Sequence, residues 1–240
     1  MDKKMTIKSS PLHHPVAISI HGRVLIGYTI KGEPDTVLLD PVRQAQVEII
    51  EPPESFKRKL DLKSLSHGQN WESLSPRPDR THTAVDGSFY FIDLPPDNYT
   101  LKASLPQKLT RLQVAKEVVT VVKTDAKLNP LPRDLVLLTT GIVGQVISPP
   151  EQGTKPVAYA QVKLKGGNEQ TRCDRDGKFQ LLNLEAPESP STRSVQFEIS
   201  ASGYDLYTTD PTAISRGTVH RIQNIQLSKK SSTKANGTRP

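Results

Sequence analysis

The sequence predicts an all-β chain of two tandem β-sandwiches, the first carrying a long loop insertion. Three observations support this: long stretches of period-two alternation, an internal repeat in constant order, and the lack of any comparably long helical period. In the 240-residue chain, Ile18, Ile20, Val24, Ile26, Tyr28 and Ile30 alternate with Ser19, His21, Arg23, Gly27 and Thr29, with Leu25 the exception. Alternation of this kind puts one face of a strand in a core and the other toward water. Ala45, Val47 and Ile49 alternate with Gln44, Gln46 and Glu48, and Tyr99, Leu101, Ala103 and Leu105 with Thr100, Lys102 and Ser104.

The repeat sets the domain count. Gly22-Arg23-Val24-Leu25 recurs as Gly144-Gln145-Val146-Ile147, and Ala45-Gln46-Val47-Glu48-Ile49 as Ala160-Gln161-Val162-Lys163-Leu164. Asp86-Gly87-Ser88-Phe89 recurs as Asp176-Gly177-Lys178-Phe179, with Leu94 and Leu184 at the same offset, and Tyr99–Leu105 then matches Val195–Ala201. Ordered self-similarity marks a duplicated supersecondary unit. The expected organisation is a tail at 1–15, a first sandwich at 16–138 with an insertion at 51–80, a second at 139–228, and a basic tail at 229–240. Asp86-Gly87 and Asp176-Gly177 are expected to form tight hairpin turns, since Asp-Gly supplies the required backbone conformations. Pro11, Pro15, Pro149, Pro150 and Pro156 fall near strand ends, where a missing N–H does least harm. The direct passage from Leu135–Leu138 to Thr139–Ile142 leaves almost no linker and predicts a restricted angle between the sandwiches.

Composition and charge narrow the function classes. The chain is 35% hydrophobic and 24% charged, with a formal net charge of +7. No run approaches the length of a membrane span, and a single cysteine, Cys173, rules out a disulfide within one chain. Lys3, Lys4 and Lys8 at one end and Lys229, Lys230, Lys234 and Arg239 at the other hold most of the positive excess. A nucleic-acid reader concentrates charge on a folded face, so nucleic acid is not an expected partner. Residues 6–14 lack the apolar run of a signal peptide. A cytoplasmic address is expected, with membership of an exported or membrane-associated particle left open.

The ordered set Gly-x-Val, Ala-x-Val-x-aliphatic, Asp-Gly-x-Phe, x-Leu and Tyr-Thr-Leu resembles the carboxypeptidase regulatory-like domain. The resemblance implies a transthyretin-like (prealbumin-like) sandwich of about seven strands, related to immunoglobulin-like folds. It covers both modules and is cleaner in the second, where Ser202-Gly203-Tyr204 follows the last matching strand. The first departs through its insertion and through Leu105-Pro106 in the place of Ala201-Ser202. Such a sandwich is a spacer or docking module in many settings, so fold alone does not name a function.

No catalytic or metal constellation emerges, and no cofactor is expected. His13, His14, His21, His67, His82 and His220 form no zinc-peptidase spacing. Asp174-Arg175-Asp176-Gly177 opens like a calcium loop but lacks the downstream oxygen ligands. Cys173 lies between Arg172 and Arg175 without a histidine nearby in sequence and reads as a passive thiol. The transthyretin-like hydrolase that opens 5-hydroxyisourate, a relative of the fold, needs histidines, an arginine and a Tyr-Arg-Gly-Ser-type terminus; Ser215-Arg216-Gly217-Thr218 is only a partial echo.

The insertion is the most informative anomaly, because long loops in compact domains are commonly functional or disordered. It holds Phe56, Leu60, Leu62, Leu65, Leu74 and the sole tryptophan, Trp71, around the basic cluster Lys57-Arg58-Lys59. Phe56 and Leu60 are spaced for one helical turn. Phe56, Lys57, Arg58, Leu60, Leu65, Trp71 and Leu74 are the candidate protein-docking set, with Trp71 as anchor; packing of the same residues on the first sandwich is the competing reading.

A non-enzymatic protein-binding or structural subunit follows, with other protein subunits as partners and a homo-oligomer as one form. Tandem modules lacking a signal resemble proteins of phage-tail-like contractile injection systems, which implies an accessory or adaptor role there. A carbohydrate-binding or adhesive module is the alternative, and the hydrolase a remote third.

Overall fold

A computed structural model describes residues 18–74, 77–108, 110–122, 132–150 and 153–230. Residues 1–17, with His13 and His14, and 231–240 lie outside the described residues, so only Lys229 and Lys230 of the basic tail are described. The first half contains β1 (Ile18–Thr29), β2 (Thr36–Pro41), β3 (Gln46–Glu51), helix α1 (Glu54–His67), β4 (Arg80–His82), β5 (Ser88–Ile92), β6 (Asp97–Ser104), β7 (Leu112–Gln113), β8 (Ala115–Val121) and β9 (Leu135–Thr139). One sheet runs β2-β1-β9-β7, with β5 also on β1; the facing sheet runs β4-β3-β6-β8. The alternating residues identified in the sequence fill the space between them: Ile20, Val24, Val47, Phe89, Phe91, Tyr99, Leu101 and Leu137 are buried in one cluster. Apolar burial of this kind drives the two faces together.

The second half contains β10 (Gly141–Ile147), β11 (Gln161–Leu164), β12 (Gln170–Arg172), β13 (Lys178–Leu182), β14 (Arg193–Val195), β15 (Phe197–Ser200), β16 (Tyr207–Thr208), β17 (Thr212–Ile214), β18 (Val219–Arg221) and β19 (Ile225–Gln226). Here β13-β10-β18, with β19 on β10, faces β12-β11-β15-β16, and β14 pairs with β17. Ile142, Val146, Val162, Phe179, Phe197 and Ile199 form a second, separate core.

The two halves repeat at the level of register. Gly22 pairs with Phe89 and Arg23 with Ser88; Gly144 pairs with Phe179 and Gln145 with Lys178. Gln46 lies opposite His82 and Ser104, and Gln161 opposite Arg172 and Ser200. Even the connecting hydrogen bonds recur. Val24 N–H donates to Gly87 O at 2.9 Å and Val146 N–H to Gly177 O at 2.8 Å; Thr83 and Cys173 N–H donate to Ala45 and Ala160 O, both at 2.9 Å.

Two expectations hold only in part. The Asp-Gly turns are tight and closed by hydrogen bonds, Gly87 N–H to Ala84 O at 3.1 Å with Ala84 N–H to Ser88 O at 2.9 Å, and Gly177 N–H to Asp174 O at 3.2 Å with Asp174 N–H to Lys178 O at 2.8 Å, but the strands they join pair in different sheets. β4 and β12 pair within one sheet of their sandwich while β5 and β13 pair with β1 and β10 of the other. Each turn therefore carries the chain across the core, and the reason is that Phe89 and Phe179 must point back into it. Within the turns only the glycine is left-handed, Gly87 at φ 78° and Gly177 at φ 71°, a type I turn followed by a left-handed residue rather than a turn with two positive φ values. The insertion, expected as a long loop with spacing for one helical turn, is helical over most of its length: α1 begins after Pro53, stops at Gly68 and is followed by a 3-10 helix, Gly68–Ser73.

A single residue, Thr140, separates the last strand of the first sandwich from the first strand of the second. Tyr28, Ile30, Val143 and Val219 form a small buried cluster joining the halves. Lys31 N–H donates to Val219 O at 2.8 Å and Ala186 N–H to Thr110 O at 3.1 Å. Arg111 reaches from the first sandwich to Asn183 O at 2.7 Å, Glu185 at 3.0 Å and Glu169 at 3.2 Å. These contacts, both apolar and charged, fix one sandwich against the other.

Candidate protein-docking site

Helix α1 is held to its sandwich by one face. Phe56 is buried and meets the Tyr99 ring edge-on, with centroids 5.8 Å apart, and Leu60, one turn on, packs against the same core. Burying a phenylalanine contributes about 1.5–3 kcal/mol, so Phe56 is the pin of the insertion. Tyr99 is itself fixed: its hydroxyl donates to Pro95 O at 2.8 Å, and burial pushes its pKa up to about 12.

The opposite face is unpartnered. Arg58, Leu62 and Leu65 follow one another at helical spacing on the side turned from the core, with Leu62 69% and Leu65 79% exposed. Glu54, Arg58 and Asp61 are exposed beside them, with Lys57 and Lys59 on the flanks and Lys63 toward the core side. Lys57 approaches Glu54 at 3.9 Å, an i,i+3 surface pair of little energetic weight.

Trp71 is half-buried and occupied by its neighbours. The Arg77 guanidinium sits 5.1 Å from the indole centroid, and the His67 ring lies 6.1 Å away. Arg77 is only 9% exposed in its side chain and is locked by paired bonds to Asp79 (3.0 and 2.8 Å) and one to Glu72 at 2.9 Å. Such a desolvated cation over an indole is a stable stack. Arg80 donates to Glu72 O at 2.6 Å and Leu74 O at 3.3 Å, which holds the half-buried Leu74 close by.

Of the seven docking candidates, the structure thus leaves Lys57, Arg58 and Leu65 in solvent. It buries Phe56, half-buries Leu60, Trp71 and Leu74, and adds Leu62. The helical offset between Leu62 and Leu65 was the available signal, masked because apolar residues occur on both faces of α1.

The remaining chemistry-bearing side chains serve structure. The Asp86 carboxylate accepts from the Ser88 hydroxyl at 2.7 Å and from Ser88 N–H at 3.0 Å, and these bonds hold its pKa below the usual carboxylate range. In the second copy Asp174, not Asp176, takes that role, accepting from Asp176 and Lys178 N–H at 2.9 and 2.8 Å. Cys173 is buried, and burial beside Asp174 raises its thiol pKa to about 11, so the thiolate is scarce at neutral pH. Among the described residues no group of three or more His, Cys, Asp or Glu converges as metal ligands, and no helix is long and apolar enough to cross a membrane.

No protein-family model matches the chain, and no curated protein matches it. The carboxypeptidase regulatory-like assignment therefore stands as a resemblance, while the β-sandwich architecture it implies is present. Several solved structures are similar. The minor pilin of Streptococcus agalactiae is 13% identical over 90% of this chain and 98% of its own, with a TM-score of 0.30. The shaft pilin of Lactobacillus rhamnosus GG is 11% identical over 88% and 98%, with a TM-score of 0.37. A streptococcal ancillary pilin is 13% identical over 89% and 63%, with a TM-score of 0.28. Likeness this slight carries no argument about function.

Proposed function

We propose that this chain is a non-enzymatic, protein-binding structural subunit that docks on other proteins through the outer face of α1. The observation that carries the proposal is the two-sided helix: Phe56 and Leu60 are spent on the core, while Leu62 and Leu65 stand exposed among charged side chains of both signs, Arg58, Asp61 and Glu54. Exposed aliphatics on a rigidly anchored element, rimmed by charge, fit an interface better than a solvated surface. The contractile-injection version of this role and the cytoplasmic address find no support in the fold or the comparisons and are not carried further. The test is affinity capture from the source cell with the wild-type chain and with Leu62→Glu/Leu65→Glu. A partner retained by the first and lost by the second is the expected result. A strictly monomeric chain with no retained partner, or one held equally by both, defeats the proposal.

One observation favours the carbohydrate reading as a second possibility. Where the sandwiches meet, an open cleft is lined by the carboxamides of Gln145, Gln180, Gln223, Asn224 and Gln226 together with Lys178 and Arg221, the Gln145 and Gln180 amides donating to Asp176 O at 2.8 Å and the Tyr28 hydroxyl at 3.2 Å. Carboxamides suit sugar hydroxyls. A saturable response in a glycan panel that disappears in Gln145→Ala/Gln180→Ala would establish it.

A further inference from the structure

The first sandwich has an edge that the second does not. β2 lies at the end of its sheet, paired with β1 alone among the described strands. All six of its residues are exposed, including Val37 (41%), Leu38 (53%) and Leu39 (41%). A free edge carries unpaired backbone N–H and C=O groups, and stable proteins guard such edges with lysine, proline or very short strands.

The second copy shows that guard in place. Among the described residues of the matching segment there is no strand: Ile147 makes a lone bridge with Pro156, and Ser148 N–H bonds Lys155 O at 2.8 Å. Pro156 matches Pro41 and Lys155 matches Asp40, and in sequence Gln152, Gly153 and Thr154 stand where the first copy has Val37, Leu38 and Leu39. The two edges descend from one plan, so the open one is a property of this strand and not of the fold.

We infer that the outer edge of β2, residues 35–40, receives an extended segment of a partner protein as an added strand, with an aliphatic centre bracketed by lysine or arginine. Backbone pairing along the edge supplies attachment, and side chains on the two faces supply selection. Pro34 and Pro41 close both ends of the window, which limits pairing to one short segment. Asp35 and Asp40 bracket Val37–Leu39, and no base lies between Lys31 and Arg43. Opposite charges directly across a strand pair are favourable and like charges unfavourable, so the bracket selects basic flanks.

The same bracket argues against a second copy. Pro34-Asp35-Thr36-Val37-Leu38-Leu39-Asp40-Pro41 reads almost the same in both directions. Two β2 strands meeting antiparallel with Val37 opposite Leu38 set Asp35 against Asp40 at both ends, and the register centred on Leu38 places Asp40 opposite Thr36, so neither offers the aspartates a basic partner.

This inference shares with the proposed function only the premise that the chain binds proteins, and it uses a different surface. Its test is fluorescence anisotropy of the full chain with a labelled peptide Lys-Val-Thr-Ile-Val-Lys, whose lysines are spaced as Asp35 and Asp40 are, and a twin carrying glutamate at both ends, at low salt. Wild type is expected to prefer the lysine peptide by about fivefold or more, and Asp35→Lys/Asp40→Lys to reverse that preference. Because the two variant positions are exposed and each protein is its own control across the two peptides, a folding defect cannot mimic the reversal. Amide hydrogen exchange should slow at 36–39 on binding and not in α1. Absence of binding, equal binding of both peptides, or protection elsewhere overturns the inference. So does a dimer in sedimentation whose 36–39 amides are already protected without peptide. Peptide binding that survives Leu62→Glu/Leu65→Glu shows that the two surfaces stand or fall separately.

Discussion

The two sandwiches keep one plan where strands face the core and diverge where they face solvent. Between β3 and β4 the first copy spends a helix and a 3-10 turn, while between β11 and β12 the second turns within Lys165–Glu169. After β1 the first copy extends a hairpin into β2, and after β10 the second breaks into a proline-rich loop. The strand beyond β6 runs seven residues, and its partner beyond β15 only two. The shared part is what a sandwich needs in order to bury aliphatics. The divergent parts lie on the surface, where a duplicated scaffold is free to acquire a binding role: the first copy adds α1 and β2, and the second the β14–β17 pair.

The largest test of this contrast is Phe56→Ala, which has no counterpart in the second copy. Losing a fully packed phenylalanine is expected to cost about 3–5 kcal/mol and to free α1 from Tyr99. Chemical denaturation with tyrosine and tryptophan fluorescence reads both effects, and a change below about 1 kcal/mol would mean the helix is not held by its core face.

A smaller contrast compares matched glycines. A Cβ on Gly22 would fall 1.7 Å from the Arg133 carbonyl oxygen, whereas one on Gly144 would meet the Phe179 ring at 2.8 Å. A backbone carbonyl cannot step aside as a ring can. Gly22→Ala is therefore expected to destabilise by about 3 kcal/mol or more and Gly144→Ala by about half that, compared by thermal unfolding. Equal losses would show that the two crossings are equally tight.

The mildest test addresses the joint. His220 lies on β18 beside the cluster shared by both copies, with Nε2 buried and without a hydrogen-bond partner. Burial, and secondarily Lys31, hold its pKa below 6.5. A histidine with a depressed folded pKa resists protonation that the unfolded chain accepts. Its neutral form is fully compatible with the fold above that value, and stability falls as the pH drops through 6.5 toward the folded pKa. Melting temperatures between neutral pH and about pH 5 should fall more for wild type than for His220→Gln. Parallel curves would remove His220 from the joint's energetics.

The docking candidates show how far the residues alone reached. Phe56 and Leu60 at helical spacing hinted at one turn, but that spacing was equally consistent with a docking face. Only the presence of Tyr99 beneath them assigned those residues to the core and left Leu62 and Leu65 outside. Trp71, the expected anchor, was claimed by Arg77, a partner six residues on that no periodicity connects to it. β2 was invisible as an open edge because an aliphatic run reads the same whether its edges are paired or free.

Period-two alternation and an ordered repeat were sufficient to determine the β class, the duplication and most of both cores, because burial of one strand face is a local pattern repeated along the chain. The left-handed residues were not legible in that way. Gln44 and Tyr159, at φ 58° and 59°, and Asp93 and Asn183, at 53° and 62°, adopt the same conformation at matched places without a glycine to announce it. Nor was the sheet exchange at the Asp-Gly turns, the joint at Val219, or the choice of which aliphatics remain exposed. These were decided by tertiary structure, because each depends on which distant segment arrives opposite a residue, and sequence spacing does not record that distance.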